Sequence, residues 1–470
     1  MNKNINLRLY ITPEQYNIYA GADWPTYDEF MDGVRPTHPD AQQYVDAMLN
    51  YTVKEQGKIF PIRTKTSCQS KWTWSTIYLN NLQTASCHRV DPTPIDLDNF
   101  DNFHNLPKKL NDRRLMLNGE WPTGGCEYCK NIEDAGGWSD RQHNLEIPNL
   151  SPPELDIDPT AIEVTPRILE IFAQNTCNFS CVYCNSALSS KIQQENEKFG
   201  IFNKDGVLIR NRNTNTEVTD EVFHKFLNWL TKNINTLKRL HLLGGETFLQ
   251  ERLMNSVLAI LENNPNPDLE FCIFSNMNVP DKLWNRYIPK IKDLQSKNHI
   301  KVFDLTASID CWGPAAEYTR YGLDLEKFEE RFSWASEQGD WLRLNANQTV
   351  TALTIHTMPE LIEKIKKYSK HKHIGHYFQF YTDSPEYMYQ HPQTFAYSMW
   401  EKDFENILNA MPNDTPSQRE AIPRMQGLQK QLQQVKTHNF QDIKKLHVHL
   451  DEIDRRRNTN WRSIFPYLDI

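Results

Sequence analysis

Long apolar runs are missing from this sequence of 470 residues. No stretch approaches the ~18 apolar residues of a membrane-crossing helix. The opening MNKNINLRLYITPEQY also lacks the apolar core and small-residue cleavage site of a secretory signal. A cytoplasmic protein with no membrane partner is the expectation. Excess positive charge is absent as well, since the formal net charge is −8. The run Arg455-Arg456-Arg457 sits beside Asp451, Glu452 and Asp454 and reads as a solvated helix face, so nucleic acid is not an expected partner. An even cysteine count is lacking too. There are nine cysteines, Cys272 and Cys311 isolated and the rest in two groups. In a reducing compartment such grouping argues for metal rather than disulfides.

Charged residues at 24% and hydrophobic residues at 39% suit a soluble globular chain, and the length allows two or three domains with proper cores. Pro148 to Pro166 is rich in Pro and Asp, with Ser151-Pro152-Pro153 and Asp158-Pro159 as turn signals. A boundary is expected there, closing an N-terminal domain over 1–150. From Arg167 apolar strands alternate with helical patterns. The strands are expected over 168–173, 238–243, 269–274, 301–309, 343–351 and 374–380. Between them, Thr219 reads as the N-cap of a helix burying Val222, Phe223, Phe226, Leu227 and Leu230. Leu361, Ile362, Ile365 and Tyr368 form a second such stripe. Six β-then-α units imply an α/β fold with a parallel sheet, open or only partly closed as a barrel, over 167–385. The stretch from Lys191 to Thr216 is polar and Asn-rich and is expected to form a loop. After Tyr381 the pattern turns helical through 386–470, with helices near 395–410 and between 417 and 457, broken at Pro423 and near Asn439.

Three cysteines lie in Cys177-Asn-Phe-Ser-Cys181-Val-Tyr-Cys184, just after the first strand. A cubane iron–sulfur cluster is normally held by about four cysteines. Three leave one iron open to an exogenous chelator, as a catalytic zinc keeps an open position. Taken alone, the triplet also fits part of a zinc knuckle or three buried apolar residues. A knuckle wants a fourth ligand close by, and the next downstream candidate is His224. About 60 residues after the triplet, the second strand ends in Gly244-Gly245-Glu246. Two glycines there let backbone approach a ligand without a Cβ in the way. The Glu246 carboxylate is suited to accept charge-assisted hydrogen bonds from a ligand ammonium.

The triplet and the Gly-Gly-Glu together resemble the radical S-adenosylmethionine (SAM) enzymes. Their usual next residue is Pro, where this chain has Thr247. The resemblance implies a partial (βα)6 barrel in which Cys177, Cys181 and Cys184 hold a [4Fe–4S] cluster whose open iron binds SAM. It implies reductive cleavage of SAM to a 5′-deoxyadenosyl radical that abstracts hydrogen from a substrate. Gly244, Gly245 and Glu246 match the motif for the SAM amino group. Tyr183 matches the aromatic beside adenine, and Asn276 a polar residue near SAM at the end of the third strand. Ser308 and Asp310 match a ribose-contacting strand end, and Arg320 an arginine against the SAM carboxylate. For Ser308 and Asp310 an ordinary turn, and for Arg320 a surface salt bridge, stay open. An electron donor such as flavodoxin or ferredoxin is implied as a partner.

The N-terminal domain carries Cys68, Cys87 and the pair Cys126-Glu-Tyr-Cys129. By spacing alone a structural zinc site is a serious reading. Cys68 with Trp72 and Trp74, then Cys87, then Leu115-Met116-Leu117-Asn118-Gly119-Glu120-Trp121-Pro122 before Cys126 and Cys129, resembles the SPASM or twitch modules of radical SAM enzymes. That resemblance implies an auxiliary [4Fe–4S] cluster on Cys68, Cys87, Cys126 and Cys129, in a module placed before the core instead of after it. His88 reads as a surface residue. The aromatics Tyr10, Tyr16, Tyr19, Trp24, Tyr27 and Phe30 either grip a peptide or cap the module. Relatives with such modules act on peptides, proteins, sugars or alcohols. A peptide or protein undergoing oxidation, cross-linking or epimerisation is the first expectation for substrate. A carbohydrate or nucleoside is the alternative, and a zinc-stabilised interaction protein without catalysis is the rival from another class.

Overall fold

The computed structural model describes residues 16, 25–31, 66, 68–134, 139–141, 162–212, 217–380, 385–412 and 416–470. Most of the expected linker, and Tyr10, Tyr19 and Trp24, lie outside these. Among the described residues no helix is long and apolar enough to cross a membrane. The chain divides into two compact units. The smaller draws on Met1–Ser75, Thr84–Thr93 and Asn102–Pro166, and the larger on Thr76–Gln83, Pro94–Asp101 and Arg167–Ile470.

The N-terminal part contributes a short helix α1 (Ser70–Thr73), strands β1 (Trp74–Tyr78), β2 (Gln83–Ala85) and β3 (Thr93–Pro94), and helices α2 (Pro107–Leu117) and α3 (Glu127–Asp134). The smaller unit buries the basic side chains Lys71, Lys109 and Arg113. Lys71 Nζ meets Asp112 Oδ2 at 2.6 Å. Lys109 Nζ donates to Ser75 Oγ at 2.9 Å and Thr84 Oγ1 at 2.8 Å. Arg113 donates from Nε to the Lys71 carbonyl and from Nη2 to that of His104. Tyr16 and Phe30 pack against each other with tilted rings, centroids 4.9 Å apart.

The larger unit opens with β4 (Ile168–Phe172), β5 (Ser180–Cys181), α4 (Ser190–Phe199), the hairpin β6 (Phe202–Lys204) and β7 (Val207–Ile209), and α5 (Asp220–Asn233). There follow β8 (Arg239–Leu243), α6 (Glu251–Asn263), β9 (Glu270–Ser275), α7 (Asp281–Ser296) and β10 (Val302–Ser308). Then come α8 (Pro314–Thr319), β11 (Arg320–Tyr321), α9 (Leu325–Ser336), β12 (Leu342–Val350), α10 (Met358–Tyr368) and β13 (Ile374–Phe380). The C-terminal helices are α11 (Glu401–Ala410), α12 (Pro416–Leu432), α13 (Phe440–Arg457) and α14 (Trp461–Ile464). The mostly parallel central sheet has nine strands in the order β13-β12-β10-β9-β8-β4-β1-β2-β3. From β4 to β13 each strand pairs in parallel with the next one of the sheet. All six expected strands are present, within a residue or two of their expected ends.

A parallel sheet covered on both faces normally reads as continuous apolar runs. Here the strands alternate. Leu240, Leu242, Phe271, Ile273, Phe303 and Leu305 fill one face and are fully buried. The other face carries a row that runs across the register, Glu170 beside His241, His241 beside Cys272, Cys272 beside Asp304, and Asp304 beside Arg343. Arg239 Nη2 and Arg343 Nη1 each sit 3.0 Å from Asp304 Oδ2, and Arg239 Nε donates to Cys272 Sγ at 3.1 Å. Cys272 is thus buried, as its strand position implies, but serves as an acceptor instead of plain packing. The helices follow the expected stripes, except that Leu227 is half-buried and Trp229 is buried. Thr219 Oγ1 caps α5 by accepting from Val222 N, and Leu361, Ile362, Ile365 and Tyr368 are buried.

Three expectations are corrected. The stretch after Lys191 is not a loop but α4 and a hairpin. Ser189 caps α4 through Ile192 N, and Asp205-Gly206 turns the hairpin with φ of +52° and +81°, the conformation an Asp-Gly hairpin turn requires. Pro423 does not break α12, because a proline inside a helix can forfeit one hydrogen bond without ending it. The arginine run is not one solvated face. The Arg455 side chain is 56% exposed, but those of Arg456 and Arg457 are 2% and 5% exposed.

Candidate active site

The loop that leaves β4 carries Cys177, Cys181 and Cys184, all half-buried, and is tied down by side chains from its own neighbourhood. Asn175 Nδ2 donates to the Ser186 carbonyl at 2.8 Å and to Gln193 Oε1 at 2.9 Å. Ser189 Oγ donates to the Phe179 carbonyl at 2.6 Å, and Cys177 N donates to Ser190 Oγ at 3.0 Å. The loop therefore keeps its shape by hydrogen bonds that polar residues flanking the triplet provide. Cys181 pairs with Arg320, and Ser180 with Tyr321, in the antiparallel ladder β5–β11. Phe179 N donates to Cys177 Sγ at 3.4 Å.

The three thiols feel one another. Burial pushes the Cys184 thiol up to about 12, with Cys181 adding to the shift. Burial likewise raises Cys177, and Cys181, Glu246 and Cys184 contribute in that order. Such thiols stay protonated in bare protein, and a bound cation is what would favour their thiolates.

Gly244-Gly245-Glu246 follows β8 and packs directly on the segment before Cys177. A Cβ on Gly245 would lie 2.2 Å from the Thr176 carbonyl oxygen, and one on Gly244 3.1 Å from that of Gln174. Glu246 N donates to the same Thr176 oxygen at 2.7 Å. The glycines thus admit the triplet's own backbone, where the sequence suggested approach to a ligand. Glu246 is buried. Its Oε1 accepts from Ser275 Oγ at 3.0 Å and Phe248 N at 3.3 Å, and its Oε2 accepts from Asn276 N at 2.7 Å. Burial raises its pKa to about 7 against those hydrogen bonds. A cation beside it would favour the carboxylate.

Asn276 is brought to the same place, its Nδ2 donating to Asn178 Oδ1 at 2.8 Å, next to Cys177. Ser308 ends β10 opposite Asn347. Asp310 is fully buried, and its carboxylate is occupied within the protein. Oδ1 accepts from Arg320 Nη2 at 2.8 Å and Thr349 N at 2.9 Å, and Oδ2 accepts from Tyr183 OH at 2.7 Å. Buried Asp310 and Arg320 and the loop's own half-buried Tyr183 therefore form one brace. Arg320 is buried, so a surface salt bridge does not describe it.

A small cleft opens beside the loop. Cys181 and Cys184 line it together with Glu195, Arg212, Arg456 and Arg457. Arg457 forks onto Glu195, with Nε and Nη2 each 3.0 Å from its oxygens. Arg456 reaches Glu452 Oε1 and Asn196 Oδ1. Sequence reasoning missed these C-terminal arginines, because nothing local says that α13 returns to the triplet.

In the smaller unit, Cys68, Cys87 and Cys129 are half-buried and Cys126 is buried. Burial pushes Cys87 up to about 12, with Cys68 adding and Lys71 opposing. Burial pushes Cys126 up to about 11, Lys71 again opposing and Cys68 and Cys129 adding. Arg89 N donates to Cys87 Sγ at 3.2 Å. His88 is exposed, as expected. Among the described residues no three His, Cys, Asp or Glu side chains close around a single ion-sized point.

No family model matches the sequence, and no curated protein matches it. Among solved structures the chain is similar to Streptococcus suis SuiB bound to the precursor peptide SuiA. The identity is 11% and the TM-score 0.33, over 75% of this chain and 70% of that one. SuiB bound to S-adenosylmethionine gives 12% identity and a TM-score of 0.34, over 73% and 70%. TYW1 with a lysine–pyruvate adduct bound gives 13% and 0.27, over 50% and 68%. At this distance the function has to be read from the site itself.

Proposed function

We propose that the chain is a radical SAM enzyme. The observation that carries this reading is one juxtaposition. The Cys177–Cys184 loop leaves the first parallel strand of the larger unit, and Gly244-Gly245-Glu246, about 60 residues later, closes onto it at the end of the next. The loop's three thiols and the buried Glu246 carboxylate, which acts on Cys177, then lie by the ends of parallel strands, where ligands of such sheets bind. The donor set fits a cubane cluster that keeps one iron open: three thiols on one loop, none in a disulfide, with Phe179 N–H already directed at a sulfur. Bound there, a [4Fe–4S] cluster and SAM would supply reductive cleavage of SAM and a 5′-deoxyadenosyl radical for hydrogen abstraction.

The protein's own contribution is binding, orientation and exclusion of water. Cys177, Cys181 and Cys184 would hold the cluster. Glu246, held by Ser275 and Asn276, would take the ammonium of SAM as its carboxylate. Asn276 anchors the loop through Asn178, and the Asp310–Arg320–Tyr183 brace fixes the loop's far end. The polar face of the sheet, alternating with an apolar one, suits the inner wall of a partial (βα)6 barrel over 167–385, with 386–470 as a helical appendage. Over 1–150, Cys68, Cys87, Cys126 and Cys129 would hold an auxiliary [4Fe–4S] cluster in a SPASM/twitch-like module. Lys71 and its neighbours would offset the charge of the thiolates. A peptide or protein substrate, with flavodoxin or ferredoxin as reductant in the cytoplasm, completes the reading. It rests on the kinship of that module.

The test is anaerobic reconstitution followed by assay of 5′-deoxyadenosine with SAM and dithionite. Wild type should produce it and Cys181→Ala should not, with its circular dichroism unchanged. Equal production by both proteins would sink the assignment.

A further inference from the structure

The Arg457 side chain, the last residue of α13, is 5% exposed and lines the cleft that Cys181 and Cys184 also line. Its Nε and Nη2 are taken by Glu195, but its Nη1 is buried with no hydrogen-bond partner. A buried N–H left without an acceptor costs on the order of 1–3 kcal/mol, so a retained one points to an acceptor that belongs there. Its guanidinium also lies 5.0 Å from the ring centroid of Tyr321, which neighbours the residue paired with Cys181. Arg320 repeats the pattern on the ladder. Its Nη2 serves Asp310 and its Nε is buried without a partner.

We infer that Arg457 is a positioning residue of the thiolate centre: its free N–H and its charge serve the sulfur side of a cluster bound at Cys181 and Cys184, and set that cluster's potential. This rests on the cluster reading given above. Iron–sulfur potentials respond to net charge, to hydrogen bonds on sulfur and to solvent exposure. Reduction adds negative charge, so a nearby cation favours the reduced form and raises the potential, while a nearby anion lowers it. Glu195 holds Arg457 in place and is the anion of the same pair. The C-terminal helix thereby has a part in the redox chemistry of a loop some 270 residues earlier in the sequence.

The experiment is a redox titration, followed by electron paramagnetic resonance, of the reconstituted full-length protein. A Cys126→Ser/Cys129→Ser background leaves the signal of the triplet's cluster alone. Arg457→Gln should move the midpoint to more negative potential, Arg457→Lys should restore most of it, and Glu195→Gln should move it the opposite way. Shifts of the same sign in Arg457→Gln and Glu195→Gln, or no shift in either, would overturn the inference, because a purely structural fork predicts equal damage from breaking either side. If Arg457→Gln fails to fold, Glu195→Gln decides by itself. A positive shift with iron retained supports the role, and an unchanged or lowered potential refutes it. Should wild type itself take up no iron, the cluster reading falls and this inference with it, an outcome separable from loaded protein whose potential ignores Arg457.

Discussion

Gly245→Ala tests the joint on which the site depends. Gly245 has φ of +53°, and an added Cβ would stand 2.2 Å from the Thr176 oxygen, 2.8 Å from its carbonyl carbon and 2.9 Å from that of Asn175. All three are backbone atoms, so no side chain can swing aside. The left-handed conformation alone costs an L-residue roughly 1–2 kcal/mol. Moving the turn away from Thr176 also strains or breaks the Glu246 N–H bond to that oxygen, worth about 0.5–1.5 kcal/mol. The sum is about 2–3 kcal/mol, and Cys177 moves with Thr176. Gly244→Ala meets Gln174 O at 3.1 Å and the Phe172 ring at 3.3 Å, a milder crowding. Gly339→Ala meets nothing within 4 Å and is the control. Urea unfolding and iron content after reconstitution should rank Gly339→Ala above Gly244→Ala above Gly245→Ala, with Gly245→Ala poor in iron. A Gly245→Ala protein as stable and as iron-rich as Gly339→Ala would show that the turn does not press on the triplet loop.

Three further outcomes are expected. Asp304→Ala should cost about 1–3 kcal/mol, because it removes an acceptor shared by Arg239 and Arg343 and leaves them with Glu270; a loss well below ~1 kcal/mol by urea unfolding would contradict that view. Replacing Cys126 and Cys129 by Ser should remove about half of the iron if two cubane clusters are present, whereas loss of zinc at constant iron would replace the auxiliary cluster by a structural clip. Burial pushes the buried His449 down to about 3 and His391 down to about 4, against ~6.5 when unfolded. Between these values the unfolded chain binds more protons, so stability is full above pH ~6.5 and falls as pH drops. Each residue should cost about 1.4 kcal/mol at pH 5.5, and His449→Gln should flatten the urea midpoint's dependence on pH.

The strands and the cysteine groups were legible because their signals are local. Ile168–Phe172 and Arg239–Leu243 are short segments in which apolar residues flank a polar one, and a C-x3-C-x2-C triplet marks three thiols as candidate metal ligands. The hairpin at Asp205-Gly206 had a local signal too, since Asp-Gly between β-formers is a turn, but the surrounding polarity masked it. Asn175, Ser189 and Ser190 gave no signal of their role. Each is an ordinary polar residue until the loop folds back and presents a carbonyl or amide to it.

The amino-acid order by itself determined the α/β alternation, the six strands and the residues able to ligate metal, since periodicity and spacing act over a few residues. Only the tertiary structure decided what those residues face. It turned the two glycines toward the triplet's backbone, and it closed Asp310, Arg320 and Tyr183 into one brace. It also buried two of three consecutive arginines while leaving the first in water. Those outcomes depend on packing between segments tens to hundreds of residues apart, where burial and the demand for hydrogen-bond partners, not local pattern, choose each side chain's neighbours.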